Sequence, residues 1–166
     1  MKIAILADEY MPLGRRAHAR MLHDLALELQ KNGHKVVAIT PGDPKKSSLL
    51  VIEDVDGVEV WKFTSGRTKG VGKVRRLINE FLLSFRAWRA IASRVEETPF
   101  DLCINYSPTI FFGPLANKLK KRGAFIYLVL RDMFPQWAVD NGLLRKTSPI
   151  LIFLRYYERF NYQTAD

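Results

Sequence analysis

Arg131 and Asp132 stand together directly after a continuous apolar run, residues 124–130. A buried strand ending in a guanidinium and a carboxylate presents both groups at one edge of its sheet. A carboxylate in that position is placed to be catalytic or to orient a substrate. The plainer alternative is that Asp132 caps the short helix expected around Trp137. A second group, Gly14, Arg15, Arg16 and His18, falls where the loop after the first strand meets its helix. Backbone amides and guanidinium groups beside a helix N-terminus suit phosphate oxygens, and an ordinary solvated loop is the even alternative.

Other chemistries are excluded by spacing. Only Gly14 follows the first strand, so the glycine pattern of a dinucleotide site is absent. Gly70, Gly72 and Lys73 suggest a phosphate loop, but Arg67 stands where it needs glycine and Val74 where it needs Ser or Thr. His18, His23 and His34 form no ligand cluster, so neither a metal nor a bound cofactor is expected. His23 and His34 read as surface or helix-end residues. Cys103 is the only cysteine, which excludes an internal disulfide and fits a reducing compartment.

The elements that must position these groups alternate. Residues 2–7 and 35–40 are buried-type strands flanking a helix that carries Met21, Leu22, Leu25, Ala26 and Leu29 at helical spacing. Asp56-Gly57 between two apolar runs is a hairpin turn. A long helix is expected from Val71 to about Thr98, with Val74, Leu77, Ile78, Phe81, Leu82, Phe85, Trp88, Ala92 and Val95 inward. Strands at 101–105 and 124–130 enclose a helix over 110–122. A last helix from Ser148-Pro149 turns Ile152, Phe153, Tyr156, Tyr157 and Phe160 inward. The pattern predicts an α/β domain, a doubly wound, mostly parallel sheet with a hairpin insertion.

The chain has 166 residues, 48% of them apolar, and a formal charge of +9, enough for one domain with an anionic partner. The N-terminus is too short and too soon acidic for a signal peptide, and no apolar stretch approaches bilayer-spanning length. Lys69, Lys73, Arg75, Arg76, Arg86, Arg89 and Arg94 lie on and just before the long helix, so an anionic membrane surface is a candidate partner. Solvated charges over a core-facing helix are the alternative. Nucleic acid is not expected, because no helix-turn-helix, zinc-finger or ribonucleoprotein signature accompanies the charge.

The stretch Leu130-Arg131-Asp132-Met133-Phe134-Pro135-Gln136-Trp137, continuing through Gly142-Leu143-Leu144, resembles a motif of GT-B family 4 glycosyltransferases of bacterial surface polysaccharide synthesis. It is similar to the branch assigned to aminosugar transfer in O-antigen or capsule assembly. The opening strand and turn, and Leu25 to Leu29 with Gly33-His34-Lys35-Val36, are similar to the same family. The resemblance implies that residues 1–166 are the N-terminal, acceptor-side Rossmann-like half of a retaining enzyme. That enzyme would move a sugar from a nucleotide donor to a polyprenyl-diphosphate-linked glycan. The donor would be held mainly by a C-terminal domain absent from these residues, supplied by the same chain or by a partner subunit of a split enzyme. Two departures stand out: many relatives have paired glycines where Gly14 is single, and a histidine where Arg131 stands.

On this reading Gly14, Arg15 and Arg16 contact diphosphate or acceptor phosphate. Asp132 is the expected catalytic, orienting residue, and Arg131 and His18 help it hold sugar hydroxyls. The domain alone is expected to be inactive and peripheral on the inner face of the cytoplasmic membrane. A noncatalytic anionic-lipid or glycolipid-binding module is the rival reading.

Overall fold

The structure is a computed structural model, and it describes residues 1–12, 14, 17–43, 48–68, 70–107 and 109–166, with Lys73 described in its backbone only. Arg15, Arg16, Lys69 and the Lys73 side chain therefore lie outside the described residues.

Six strands form one sheet. They are β1 (Lys2–Leu6), β2 (Lys35–Gly42), β3 (Leu50–Val55), β4 (Val58–Thr64), β5 (Leu102–Ser107) and β6 (Phe125–Leu130), in the order β3-β4-β2-β1-β5-β6. All pairings are parallel except β3 with β4, the hairpin at one edge. Asp56 and Gly57 both take positive φ, 52° and 85°, as a tight hairpin turn of this hand requires. Strand β2 runs two residues past the expected stop, because Pro41 and Gly42 stay in register with Phe63 and Thr64.

The connections are helical: α1 (Ala17–Lys31), α2 (Lys73–Phe81), α3 (Leu83–Glu97), α4 (Gly113–Lys120), α5 (Gln136–Asp140) and α6 (Pro149–Thr164). One core lies under α3 and α4, where Ile91, Val95, Leu115 and Leu119 meet Leu6, Ile39, Phe63 and Ile126. The other lies under α1, where Leu22 and Ala26 meet Ile3, Ile5, Val36 and Ala38.

Three helix faces differ from the sequence expectation, each because a polar residue found a partner. On α1 the inward stripe is His18, Ala19, Leu22, His23 and Ala26, while Met21 and Leu25 face out. His23 is thus buried, not a surface residue: Nδ1 is 3.2 Å from Tyr10 Oη and Nε2 3.0 Å from Asp56 Oδ2. It ties α1 to the hairpin turn. The expected long helix breaks at Leu82, and the inward stripe of α3 is Leu83, Ser84, Ala87, Ile91 and Val95. Ser84 can be buried because its hydroxyl donates to Phe111 O and accepts from Leu115 N. Val74, Ile78, Phe81 and Phe85 are left exposed.

On α6 the inward residues are Leu151, Leu154, Glu158, Asn161 and Thr164, so Ile152, Phe153 and Tyr156 face out. Glu158 accepts from Arg155 and from Tyr162. Asn105 Nδ2 on β5 donates to Asn161 Oδ1 at 2.8 Å, with both residues fully buried. Helix α6 comes this close because Gly113 has no side chain; a Cβ there would lie 3.1 Å from the Asn161 backbone.

The α1 register yields a direct test. Leu22 is 4% exposed and Met21 63%. Leu22→Ala should cost about 2–5 kcal/mol and Met21→Ala within about 0.5 kcal/mol of nothing, measured by urea unfolding. Equal losses would place the helix face where the hydrophobic count puts it.

Candidate functional site

In a parallel sheet every strand delivers its following loop to the same edge, and ligands bind where the strand order reverses. Here the order reverses at β1, with β2 on one side and β5 on the other. Asp8 and Glu9 follow β1, Tyr106 lies near the end of β5, and Arg131 and Asp132 follow β6.

These residues form a chain of contacts. Arg131 Nη1 donates to Tyr106 Oη at 2.8 Å. The Tyr106 ring stacks on His18, with centroids 5.5 Å apart and planes at 26°. His18 Nε2 lies 3.3 Å from Asp8 Oδ1. The hydrogen bond to Tyr106, with the charges of Asp132 and Asp8, pushes the Arg131 guanidinium further above its ordinary range, so it stays cationic. The expected residues His18 and Arg131 are therefore brought together, through Tyr106.

Asp132 is exposed beside Arg131. No side chain caps α5, whose first turn instead uses Met133 O and Pro135 O. The capping alternative for Asp132 has no contact behind it. Gly14 is placed differently from expectation: its amide donates to Tyr10 O at 2.8 Å and is already used. The glycine is needed for packing, because a Cβ would sit 2.6 Å from Ala19 Cβ and 2.9 Å from Tyr10 O.

Two open cavities of about 390 and 220 Å³ adjoin at this edge, and Asp8, Glu9, Pro41 and Thr68 line both. The larger adds Thr40, Asp43, Lys62 and Arg67. The smaller adds Arg76, Glu80, Ile110, Phe111 and Phe134. Arg76 bonds to Glu80 at 2.8 Å in that wall, so it belongs to the cleft as well as to the basic helix. The loop between β4 and α2 is held over the larger cavity by Asn79, which donates to Arg67 O and accepts from Arg86. Gly66 leaves room for that crossing, because a Cβ would lie 2.0 Å from Asn79 Oδ1 and would displace the Asn79 side chain.

Sequence reasoning missed Asp8, Glu9 and Tyr106. The rule that singled out Arg131 and Asp132, polar residues directly after a buried strand, also marks Asp8 and Glu9. It marks Tyr106 as well, which directly follows the strand expected over residues 101–105. Among the described residues no cluster could hold a metal ion.

A six-stranded, mostly parallel α/β domain with a polar cleft at its strand ends is of the doubly wound, Rossmann-like class. Residues 18–166 match the model of Glycosyltransferase Family 4, and the chain belongs to that family. Among solved structures it is similar to sucrose-phosphate synthase from Thermosynechococcus elongatus, with a TM-score of 0.70 at 11% identity over 99% of this chain and 41% of that one. It is also similar to the catalytic domain of starch synthase IV from Arabidopsis thaliana, bound to ADP and acarbose, with a TM-score of 0.52 at 18% identity over 76% of this chain and 33% of that one. The chain thus spans well under half the length of either. No curated protein matches it.

The Tyr106 link is testable without substrate. Tyr106→Phe should keep the stacking on His18 and lose the bond to Arg131, costing about 0.5–1.5 kcal/mol in urea unfolding. The His18 ring-proton NMR shifts should barely move. A large change in them would mean that the hydroxyl, not the ring, places His18.

Proposed function

We propose that this domain is the acceptor-binding half of a retaining glycosyltransferase that moves a sugar from a nucleotide donor to a lipid-linked glycan. The acceptor would be of the polyprenyl-diphosphate type used in bacterial surface polysaccharide synthesis. The observation that carries the reading is the Asp8–His18–Tyr106–Arg131 network beside the cleft, in a chain of this family. Carboxylates and a planar guanidinium can bond the hydroxyls of a sugar ring, and the buried His18–Tyr106 pair holds that guanidinium in place. Asp132 and Arg131 orient sugar hydroxyls, and Arg76 and Arg67 answer negative charge on the acceptor. Arg15 and Arg16 keep their assignment to phosphate oxygens as part of this proposal.

Transfer of this kind asks little acid or base of the acceptor half. It asks for positioning and for stabilisation of the leaving diphosphate. The donor is assigned mainly to a second domain, on the same chain or on a partner subunit, with no resident cofactor or metal. The enzyme would work at the inner face of the cytoplasmic membrane, where its acceptor lies. Among the described residues no helix is long and apolar enough to cross a membrane. A noncatalytic lipid-binding module would use the outer helices and leave the polar network without a role.

Residues 1–166 alone should show no transfer and should bind nucleotide sugars more weakly than micromolar, about −8 kcal/mol, by calorimetry. Micromolar binding would move the donor site into this half. In the intact enzyme Asp132→Asn removes a charge-assisted hydrogen bond while nearly keeping the shape. Turnover should fall roughly 10- to 100-fold, with little change in melting temperature. Arg131→Lys should also be damaging, since a point charge does not replace a planar fork. Normal turnover with a lowered melting point would return Asp132 to a structural role.

A further inference from the structure

The outward stripe of α2 and α3 is apolar where a solvated helix would be polar. Val74, Ile78, Phe81 and Phe85 recur at helical spacing, and Val74 and Phe85 are 74% and 62% exposed. Helix α6 lies alongside: Phe81 is 5.7 Å from both Phe153 and Tyr157, and Tyr157 is 5.9 Å from Tyr156. Ile152 and Tyr156, 71% and 67% exposed, extend the same surface. The result is one aromatic and aliphatic face built from α2, α3 and α6, of the kind that marks an interaction site.

Arginines border this face on both flanks. At 100° per residue, exposed Arg75 and Arg89 fall on the side of the α2–α3 stripe away from α6. Arg159, also exposed, falls on the far side of the α6 stripe, where Arg155 beside it is bonded to Glu158 and Gln136. The other arginines of α2 and α3 are engaged elsewhere. Arg76 is in the cleft wall, Arg86 holds Asn79, and Arg94 stacks over Trp61 near Lys2, at the opposite edge of the sheet.

We infer that this face docks on an anionic membrane by inserting its aromatic residues into the headgroup region, with the flanking arginines on lipid phosphates. The inference rests on the membrane location proposed above and names the surface responsible. Aromatic and aliphatic side chains with cationic borders match the interface between headgroups and acyl chains. A second copy of the chain fits poorly, because a two-fold pairing of this face would bring its arginine borders together. The net charge of +9 draws the whole chain toward an acidic surface. The docked face also adjoins the cleft. Phe111, which touches Tyr157 at 5.5 Å, lines the smaller cavity with Arg76 and Glu80. A polar headgroup in the membrane plane would thus meet the cavity without leaving the lipid.

Flotation of the intact enzyme with vesicles of phosphatidylcholine, alone or mixed with phosphatidylglycerol, tests this with no sugar present. Binding is expected on the mixed vesicles and should survive partly in high salt, since insertion is not screened. Phe81→Ser with Phe153→Ser should lower partitioning about tenfold or more. Arg75→Gln with Arg89→Gln should lower it about fivefold per arginine, on anionic vesicles only. Phe85→Ser guards against misfolding: its ring touches none of the others, so the melting temperature should hold while binding falls. No flotation of the wild-type chain, or wild-type flotation of the serine variants, overturns the inference. So does a dimer in sedimentation that Phe85→Ser dissociates without any vesicle binding. Failure here leaves transfer to a detergent-solubilised acceptor as a separate measurement, so the docking face and the transferase reading fall independently.

Discussion

The site depends on the parallel pairing of β1 with β2 on one side and β5 on the other. Register runs without a slip from Lys2 beside Lys35 to Leu6 beside Ile39, and from Ile3 beside Leu102 to Leu6 beside Asn105. Because the strands point the same way, Asp8, Tyr106 and Arg131 reach one edge though they are far apart in the chain. A one-residue shift of β5 against β6, whose register sets Ser107 beside Leu130, would turn Tyr106 to the face away from Arg131 and leave the guanidinium without its acceptor. The buried apolar strands set this register, and the polar chemistry at their ends inherits it.

Around that frame, polar side chains do much of the placing. His23 joins the first helix to the hairpin turn, Ser84 joins α3 to the turn before α4, and Asn79 joins α2 to the loop over the larger cavity. Each is largely buried, and each is hydrogen-bonded. A buried polar group without a partner costs about 1–3 kcal/mol, so these contacts favour one arrangement of the helices over near alternatives that would break them. Two of them, Ser84 and Asn79, thereby hold the cleft-lining Phe111 and Arg67 in place by bonds that carry no chemistry themselves.

Much of this was legible in the residue pattern. The strands, the Asp56-Gly57 turn and the ligand edge follow from apolar runs and punctuation, which depend on local geometry. Arg131 and Asp132 were visible because they end a run. Helix orientation was not legible, because counting apolar residues assumes that polar ones face water. His18, His23, Ser84, Glu158 and Asn161 break that assumption by finding partners 10 to 88 residues away, or on the same helix in the case of Glu158. The count also assumed that Phe81, Phe85, Phe153 and Tyr156 would be covered by the fold. Tyr106 could not be seen as a link, since its partners His18 and Arg131 come from two other segments.

The buried pair Asn105 and Asn161 bears on how such a sequence can drift. Each amide retains an atom, Oδ1 of Asn105 and Nδ2 of Asn161, with no hydrogen-bond partner among the described residues, so neither has a substitute contact in reserve. A change of either residue to leucine would strand the other amide in a dry interior. A paired change to two apolar residues meets Gly113 on one side, where the helix approach leaves no room for added bulk. The two positions, 56 residues apart, are therefore locked as a unit: a lineage can keep both or must rebuild the α6 contact, and single steps between those states are closed to it.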